Sequence, residues 1–325
     1  MNMKCYKRST VFGAALLLFA GFLRMLGGSP ITWAQQPTEL PLSWVRPSAT
    51  LDLPPPKEEP TAPAGEPYRF SGADLAYVKM QYAADCGYRP DVAALLQQPL
   101  DWDLTGAQPT VLILHTHASE SYTKTPGQVY TESADYRTLD GAYNMLAVGD
   151  ALTALLTEAG IGVIHDRQIH DYPSYDRAYT NARASVEAYL DAYPSICLVL
   201  DLHRDAALNP DGSQYATAAT VSGESAAQLM LVVGTDAGGS AHPQWQENLA
   251  LGVKLQVLLE KAAPGITRPT VLRAQRFNQD LRVGALIVEV GSAGNTQQQA
   301  LRTVPVLAEA IAELLYGAEY AENPG

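Results

Sequence analysis

Ile196-Cys197-Leu198-Val199-Leu200-Asp201-Leu202-His203-Arg204-Asp205 opens on five apolar residues and ends among four ionisable ones. A short continuous apolar run suits a strand buried on both faces, as in parallel sheets covered by helices. Working outward, Val111–Leu114, Ile161–His165 and Leu229–Val233 repeat the pattern, Ala285–Val290 is another strand, and Val271-Leu272 a short one. Between them the apolar spacing turns helical over Tyr143–Ala159, which stops at Gly160, and over Tyr175–Tyr193, Gln246–Ala262 and Gln297–Tyr316. Ala73–Ala84 also reads as a helix, and Asp91–Gln97 as a short one. Strands alternating with helices predict an α/β fold: a mostly parallel sheet with helices on both faces, spanning 107–320. No internal repeat, GxGxxG or Walker sequence interrupts it.

The chain has 325 residues, 47% of them apolar, with 22 Lys and Arg against 34 Asp and Glu, for a net charge of −12. Residues 1–36 carry Lys4, Lys7, Arg8 and Arg24 and no acid, so +4 sits there and −16 on the rest. An acidic body argues against nucleic acid as a partner. Three cysteines without a CxxC exclude a disulfide scaffold and a cysteine zinc site; Cys197 reads as a buried small hydrophobe, and Cys86 has no evident partner.

The basic start precedes Val11–Leu23, an uncharged run shorter than the ~20 residues that cross a bilayer unless Arg24 snorkels. Residues 1–34 are therefore expected to be a signal peptide or a single-pass membrane anchor, with the body outside the cytoplasm. Nine prolines between Pro37 and Pro67 make 35–67 a semi-rigid linker. Residues 68–106 form a short helical lead-in.

Open parallel sheets place ligands beyond the carboxyl ends of their strands. His115, His117 and Glu120 follow the first strand, Asp201, His203, Arg204 and Asp205 follow the central one, and Glu289 closes the last. His117 and Glu120 are spaced H-x-x-E, so a turn brings them to one side. With a third ligand from His203 they make a two-His, one-Glu set of the kind that holds zinc and leaves a position for water. Glu289 lies inside Leu286-Ile287-Val288-Glu289-Val290, where a charge is costly unless compensated; it is the candidate base. Singly, each residue has a plainer reading: a hydrogen-bonded core histidine, a helix N-terminal acid, an ion-pair cluster. Their meeting at one sheet edge favours the metal site. His115 is the rival ligand to His117, or else a neighbour behind it. His165 and His170, near Asp166 and Asp171 at the next strand end, read as solvated loop residues, with lining the cleft as the alternative, and His242 as either a turn residue or a substrate contact.

Leu114-His115-Thr116-His117-Ala118-Ser119-Glu120-Ser121-Tyr122 resembles a signature of the stage II sporulation protein P family. So do Gly160–Asp166, His170–Tyr175, Asp201–Ala206, Arg276–Leu281 and Val288–Gly291 followed by Asn295-Thr296. The resemblance spans about residues 107–315. It implies a peptidoglycan hydrolase, an N-acetylmuramoyl-L-alanine amidase and endopeptidase of septal thinning and engulfment. A lytic transglycosylase and a membrane protein are its implied partners. It further implies a fold like zinc amidases and carboxypeptidases, with Zn2+ on His117, Glu120 and His203, Glu289 as base, and Arg204, Arg276, Asn278 and Gln279 along the substrate cleft. Related cell-wall amidases take their Glu ligand from just before the first long helix, near Asp140 here, so the carboxylate ligand stays open between these positions. The alternatives are another zinc exopeptidase or deacylase, and a wall-binding module without activity.

Overall fold

Which connections contain a helix decides how the strands run. A parallel neighbour requires a crossover, whereas a connection without a helix tends to turn the chain back. β2 (Val111–Leu114) continues through α2 (Met145–Glu158) to β3 (Val163–His165), and through α3 (Ala178–Ala192) to β4 (Leu198–Asp205); these three strands are parallel. After β4 comes only a two-stranded hairpin, β5 (Ala219–Val221) and β6 (Glu224–Ala226), before β7 (Leu229–Val233). β7 continues through α4 (Trp245–Ala262) to its parallel neighbour β8 (Thr270–Leu272). No α-helix separates β8 from β9 (Ala285–Ser292), and the chain reverses again, so β9 is antiparallel to β7 and parallel to β4. α5 (Gln297–Tyr316) closes the fold behind a capping box of Thr296 and Gln299.

The structure is a computed structural model that describes residues 68–100, 102, 104 and 109–317. The expected signal or anchor at 1–34, the linker at 35–67 and part of the lead-in lie outside the described residues. Among the described residues no helix is long and apolar enough to cross a membrane.

With β1 (Met80–Tyr82) at one edge, the sheet has seven strands in the order β1-β8-β7-β9-β4-β2-β3, with one antiparallel pair, as a mostly parallel sheet requires. Helices cover both faces. Val111, Ile113, Leu198, Leu200, Leu202, Leu286 and Val288 pack with α2, α4 and α5 in the larger core. Leu112, Leu114, Ile164, Val199 and Ala285 turn the other way, onto Ala182, Val186 and Tyr189 of α3. Strand alternation then sets the sidedness of everything polar: Asp201, His203 and Glu289 share the α3 face with Val199 and Ala285.

Ala73–Ala84 is not a helix. Gly72–Tyr77 makes a short 3-10 helix, and Met80–Tyr82 (β1) pairs in parallel with Thr270–Leu272 at the sheet edge. Pairing with a strand far along the chain satisfies the backbone groups that a local helix would have used. α1 (Val92–Gln97) forms as expected, capped by Asp91. β4 and β9 run past their apolar stretches because their pairing continues through Leu202↔Val288 and His203↔Glu289 before the register shifts.

Candidate metal centre

The chain leaves β2 in a turn closed by the Glu120 amide donating to the His117 carbonyl at 3.1 Å, which sets both side chains on one side. β4 supplies His203 and β9 supplies Glu289 as register neighbours on the α3 face. The His117 and His203 rings are 5.4 Å apart and nearly perpendicular. His203 Nδ1 stands 3.5 Å from Glu120 Oε2. The structure thus gathers His117, Glu120, His203 and Glu289, all buried except for the intermediate Glu289.

Each imidazole also faces a second carboxylate. His203 Nε2 lies 2.9 Å from Asp201 Oδ1, off the line of a well-formed hydrogen bond, and His117 Nδ1 lies 3.8 Å from Asp171 Oδ2. Asp201 accepts from the Thr116 amide and hydroxyl at 2.7 and 2.6 Å. Asp171 accepts from the Ser119 amide and from Arg137 Nη1 at 2.9 Å. Arg137 also reaches Glu120 Oε1 at 3.3 Å and lies over the Tyr175 ring, which stacks on His117. Arg204 donates from its backbone amide to Glu120 Oε2 and from its guanidinium to Glu120 Oε1 and to the Ser121 and Tyr136 carbonyls.

These contacts set the charges. Burial alone would push the Glu120 carboxyl up, but Arg204 and the two histidines hold it down to about 2. Burial would lower His203, and Asp201 and Glu120 overcome it to raise the imidazole well above 6.5. Burial dominates at His117, lowering it to about 4, and at Glu289, raising it to about 8.

Three buried polar atoms have no hydrogen-bond partner here: His117 Nδ1, His203 Nε2 and Glu289 Oε2. Such orphans are rare in native interiors and call for a water, an ion or a catalytic role. Among the described residues no three His, Cys, Asp or Glu side chains stand as a closed metal site; His117, Glu120 and His203 are neighbours rather than a formed ligand triangle. Their donor chemistry, two imidazoles and one ionised carboxylate, fits zinc.

The other expected residues divide. His115 sits on the opposite face, its Nδ1 at 3.0 Å from the Leu202 carbonyl and its Nε2 at 2.8 Å from His165 Nε2. Asp140 is exposed and accepts from the Ala142 amide in a turn. Arg204 is buried with its guanidinium committed to Glu120 and two carbonyls, and Gln279 is buried with its amide on the end of β7. Arg276 and Asn278 line a groove beside the site. His165 and His170 are held by His115 and Asp166 rather than solvated. Cys86 and Cys197 are buried free thiols. Asp201 and Asp171 stood out in the sequence beyond their strand ends but without a role, whereas nothing there gave a role to Arg137 or Tyr175; the signal for Asp201 is its place two residues before His203 on the same strand face.

Residues 58–312 match the model of the family described as stage II sporulation protein P. The chain belongs to that family. Stage II sporulation protein P of Bacillus subtilis (strain 168) is 28% identical over 227 residues, which cover 66% of this chain and 53% of that protein. The chain therefore spans about half the length of this relative of the stage II sporulation protein P family. Among solved structures, the N-acetylmuramoyl-L-alanine amidase AmiC2 of Nostoc punctiforme is 11% identical with a TM-score of 0.40, over 65% of this chain and 99% of that one. The N-acetylmuramyl-L-alanine amidase Ami1 of Mycobacterium smegmatis is 13% identical with a TM-score of 0.39, over 63% and 96%.

Proposed function

We propose that this chain hydrolyses the amide between N-acetylmuramic acid and L-alanine in peptidoglycan, with zinc held by His117, Glu120 and His203 and with Glu289 as the general base. The observation that carries the reading is Glu289: a buried carboxyl on the strand beside His203, with an unpartnered oxygen and an affinity for protons raised to about 8. A carboxyl tuned in this way suits taking a proton near neutral pH and giving it back. Bound zinc would acidify a water and polarise the scissile carbonyl. Glu289 then takes the proton of the attacking water and returns it to the departing amine. Asp201 and Asp171 orient the imidazoles, as carboxylates behind metal-binding histidines do. Arg137 and Arg204 keep Glu120 ionised and aimed. Tyr179 and Tyr175 wall the His117 side.

Residues 1–34 would tether or export the domain and 35–67 would space it from the membrane, placing it among wall-thinning partners in sporulation. Cleavage of peptide cross-links at the same site is part of the proposal.

Digestion of purified sacculi, with fragments identified by mass and zinc content measured alongside, tests it. Free stem peptides beginning at L-alanine support the amidase. Zinc-bound protein releasing other fragments would indicate an exopeptidase or deacylase instead, and metal-free, inactive protein would indicate a wall-binding module.

A further inference from the structure

A groove of about 490 Å3 runs from Tyr179 between α3 and the segment that follows β8. The hydrolytic step does not use it. Tyr179 joins it to the site, with its ring edge-on to His117 at 5.7 Å and tilted against Phe277 at 5.8 Å. Arg183 and Arg276 line the groove and share one acid. Both oxygens of Asp280 lie on Arg183 Nη1, at 3.0 and 3.1 Å, while Arg276 Nη1 is 3.3 Å away. Arg183 is further paired with Glu187 at 2.9 Å. Arg183 is thus held by two acids, while Arg276, with its side chain 35% exposed, shares only Asp280.

The segment that presents Arg276 is held in an unusual conformation. Phe277 and Asn278 both adopt left-handed backbone angles, with φ of 51° and 61°. A Cβ on Gly234 would stand 2.3 Å from the Gln275 carbonyl oxygen, so only glycine lets the segment lie against β7. Gln279 accepts from the Gly234 amide and donates to the Val232 carbonyl, and Asn278 donates to the Tyr179 carbonyl at 2.7 Å. Backbone strain persists where surrounding bonds over-determine it, and it collects at ligand clamps.

We propose that this groove receives a peptide arm of the substrate and that Arg276 binds a carboxylate on that arm. This rests on the amidase reading for the nature of the ligand. Phe277 and Tyr179 supply apolar walls, and a guanidinium presents the fork of N–H donors that a carboxylate accepts from most strongly.

The test is a binding titration with the full-length, zinc-loaded Glu289→Gln protein, which holds substrate without turnover. Two soluble muramoyl peptides are compared, identical except that one carries a free peptide carboxylate and the other its carboxamide. The carboxylate form is expected to bind about tenfold tighter, a difference of about 1.4 kcal/mol. Adding Arg276→Gln should abolish that preference and leave the affinity for the carboxamide form unchanged, which also reports an intact fold. Adding Arg276→Lys should retain part of it. Equal binding of the two peptides, or equal weakening of both by Arg276→Gln, overturns the proposal. If neither peptide binds while wild-type protein releases stem peptides from sacculi, the groove assignment fails alone. If release is absent as well, the amidase reading fails with it.

Discussion

His203 and Glu289 stand side by side in register on β4 and β9, facing α3 together. One is an imidazole held charged by acids around it, the other a carboxyl held protonated by burial. Both neighbours hold their protons above the ordinary values, and the proposed function gives one the part of ligand and the other that of base. Glu289→Gln should keep zinc near one equivalent per chain and lower the rate of stem-peptide release by about 10²–10⁴-fold. Metal analysis and timed digestion of sacculi check this; near wild-type release by the variant would remove Glu289 from the role.

Metal affinity should depend on pH. The His203 proton must leave before a metal takes the imidazole, and that proton is held well above 6.5. Zinc affinity should therefore rise with pH, by about tenfold per unit below the His203 pKa. Competition with a zinc indicator at pH 6, 7 and 8 measures the slope. His203→Ala should lose zinc outright, and a flat profile in the wild type would contradict the protonated imidazole.

The metal-free protein should lose stability as pH rises above about 6.5. Glu289 binds its proton more tightly folded than unfolded, so between about 4.5 and 8 raising the pH favours unfolding. His203 acts in the same direction: its contribution is full below about 6.5 and is lost as pH climbs through the raised folded value. Glu120 acts oppositely, its contribution being lost as pH falls from about 4.5 toward 2, and so do His115, His117 and His165, which burial keeps neutral and which oppose folding as pH falls below about 6.5. Thermal melts in chelator from pH 6.5 to 8 should show a falling midpoint, and Glu289→Gln should flatten it.

Arg137 ties Glu120, Asp171 and the ring of Tyr175 together. Arg137→Ala should weaken zinc binding by about 10–100-fold, the usual cost of removing a partner behind a ligand. Arg137→Lys, lacking the fork, should recover only part of this. Equilibrium zinc titration of both variants provides the measurement.

Gly149 offers a test of the opposite face. In an ordinary helix Gly→Ala gains roughly 1 kcal/mol. Here a Cβ would meet His165 Nε2 at 2.4 Å and His115 Nε2 at 2.5 Å, so Gly149→Ala should instead destabilise by about 1–3 kcal/mol. Denaturant unfolding of the variant decides the sign.

Much of this was legible in the chain. Apolar runs marked the inner strands, and an acid in the midst of one marked Glu289. Strand alternation also contained the answer for His115: Val111 and Ile113 face α2, and His115 continues their side while Thr116 turns to Asp201. The antiparallel entry of β9 was readable too, from a connection that lacks a helix. Other features were beyond local reading. Met80–Tyr82 becomes a strand because of Thr270–Leu272, and Arg137 and Asp171 meet Glu120 and His117 only through folding. The β5–β6 hairpin left a faint trace in Ser222-Gly223, both with positive φ as a two-residue turn demands.

The two faces of the sheet are unequally held. Among the described residues four helices, α1, α2, α4 and α5, contribute to the larger core, while the smaller one contains residues of α3 and of no other α-helix. The chemistry therefore sits on the more lightly anchored side, where sub-global opening costs least. Amides of α3 should exchange with solvent well before those of α4 and α5. The candidate site then stands on a platform whose floor is fixed and whose cover can breathe.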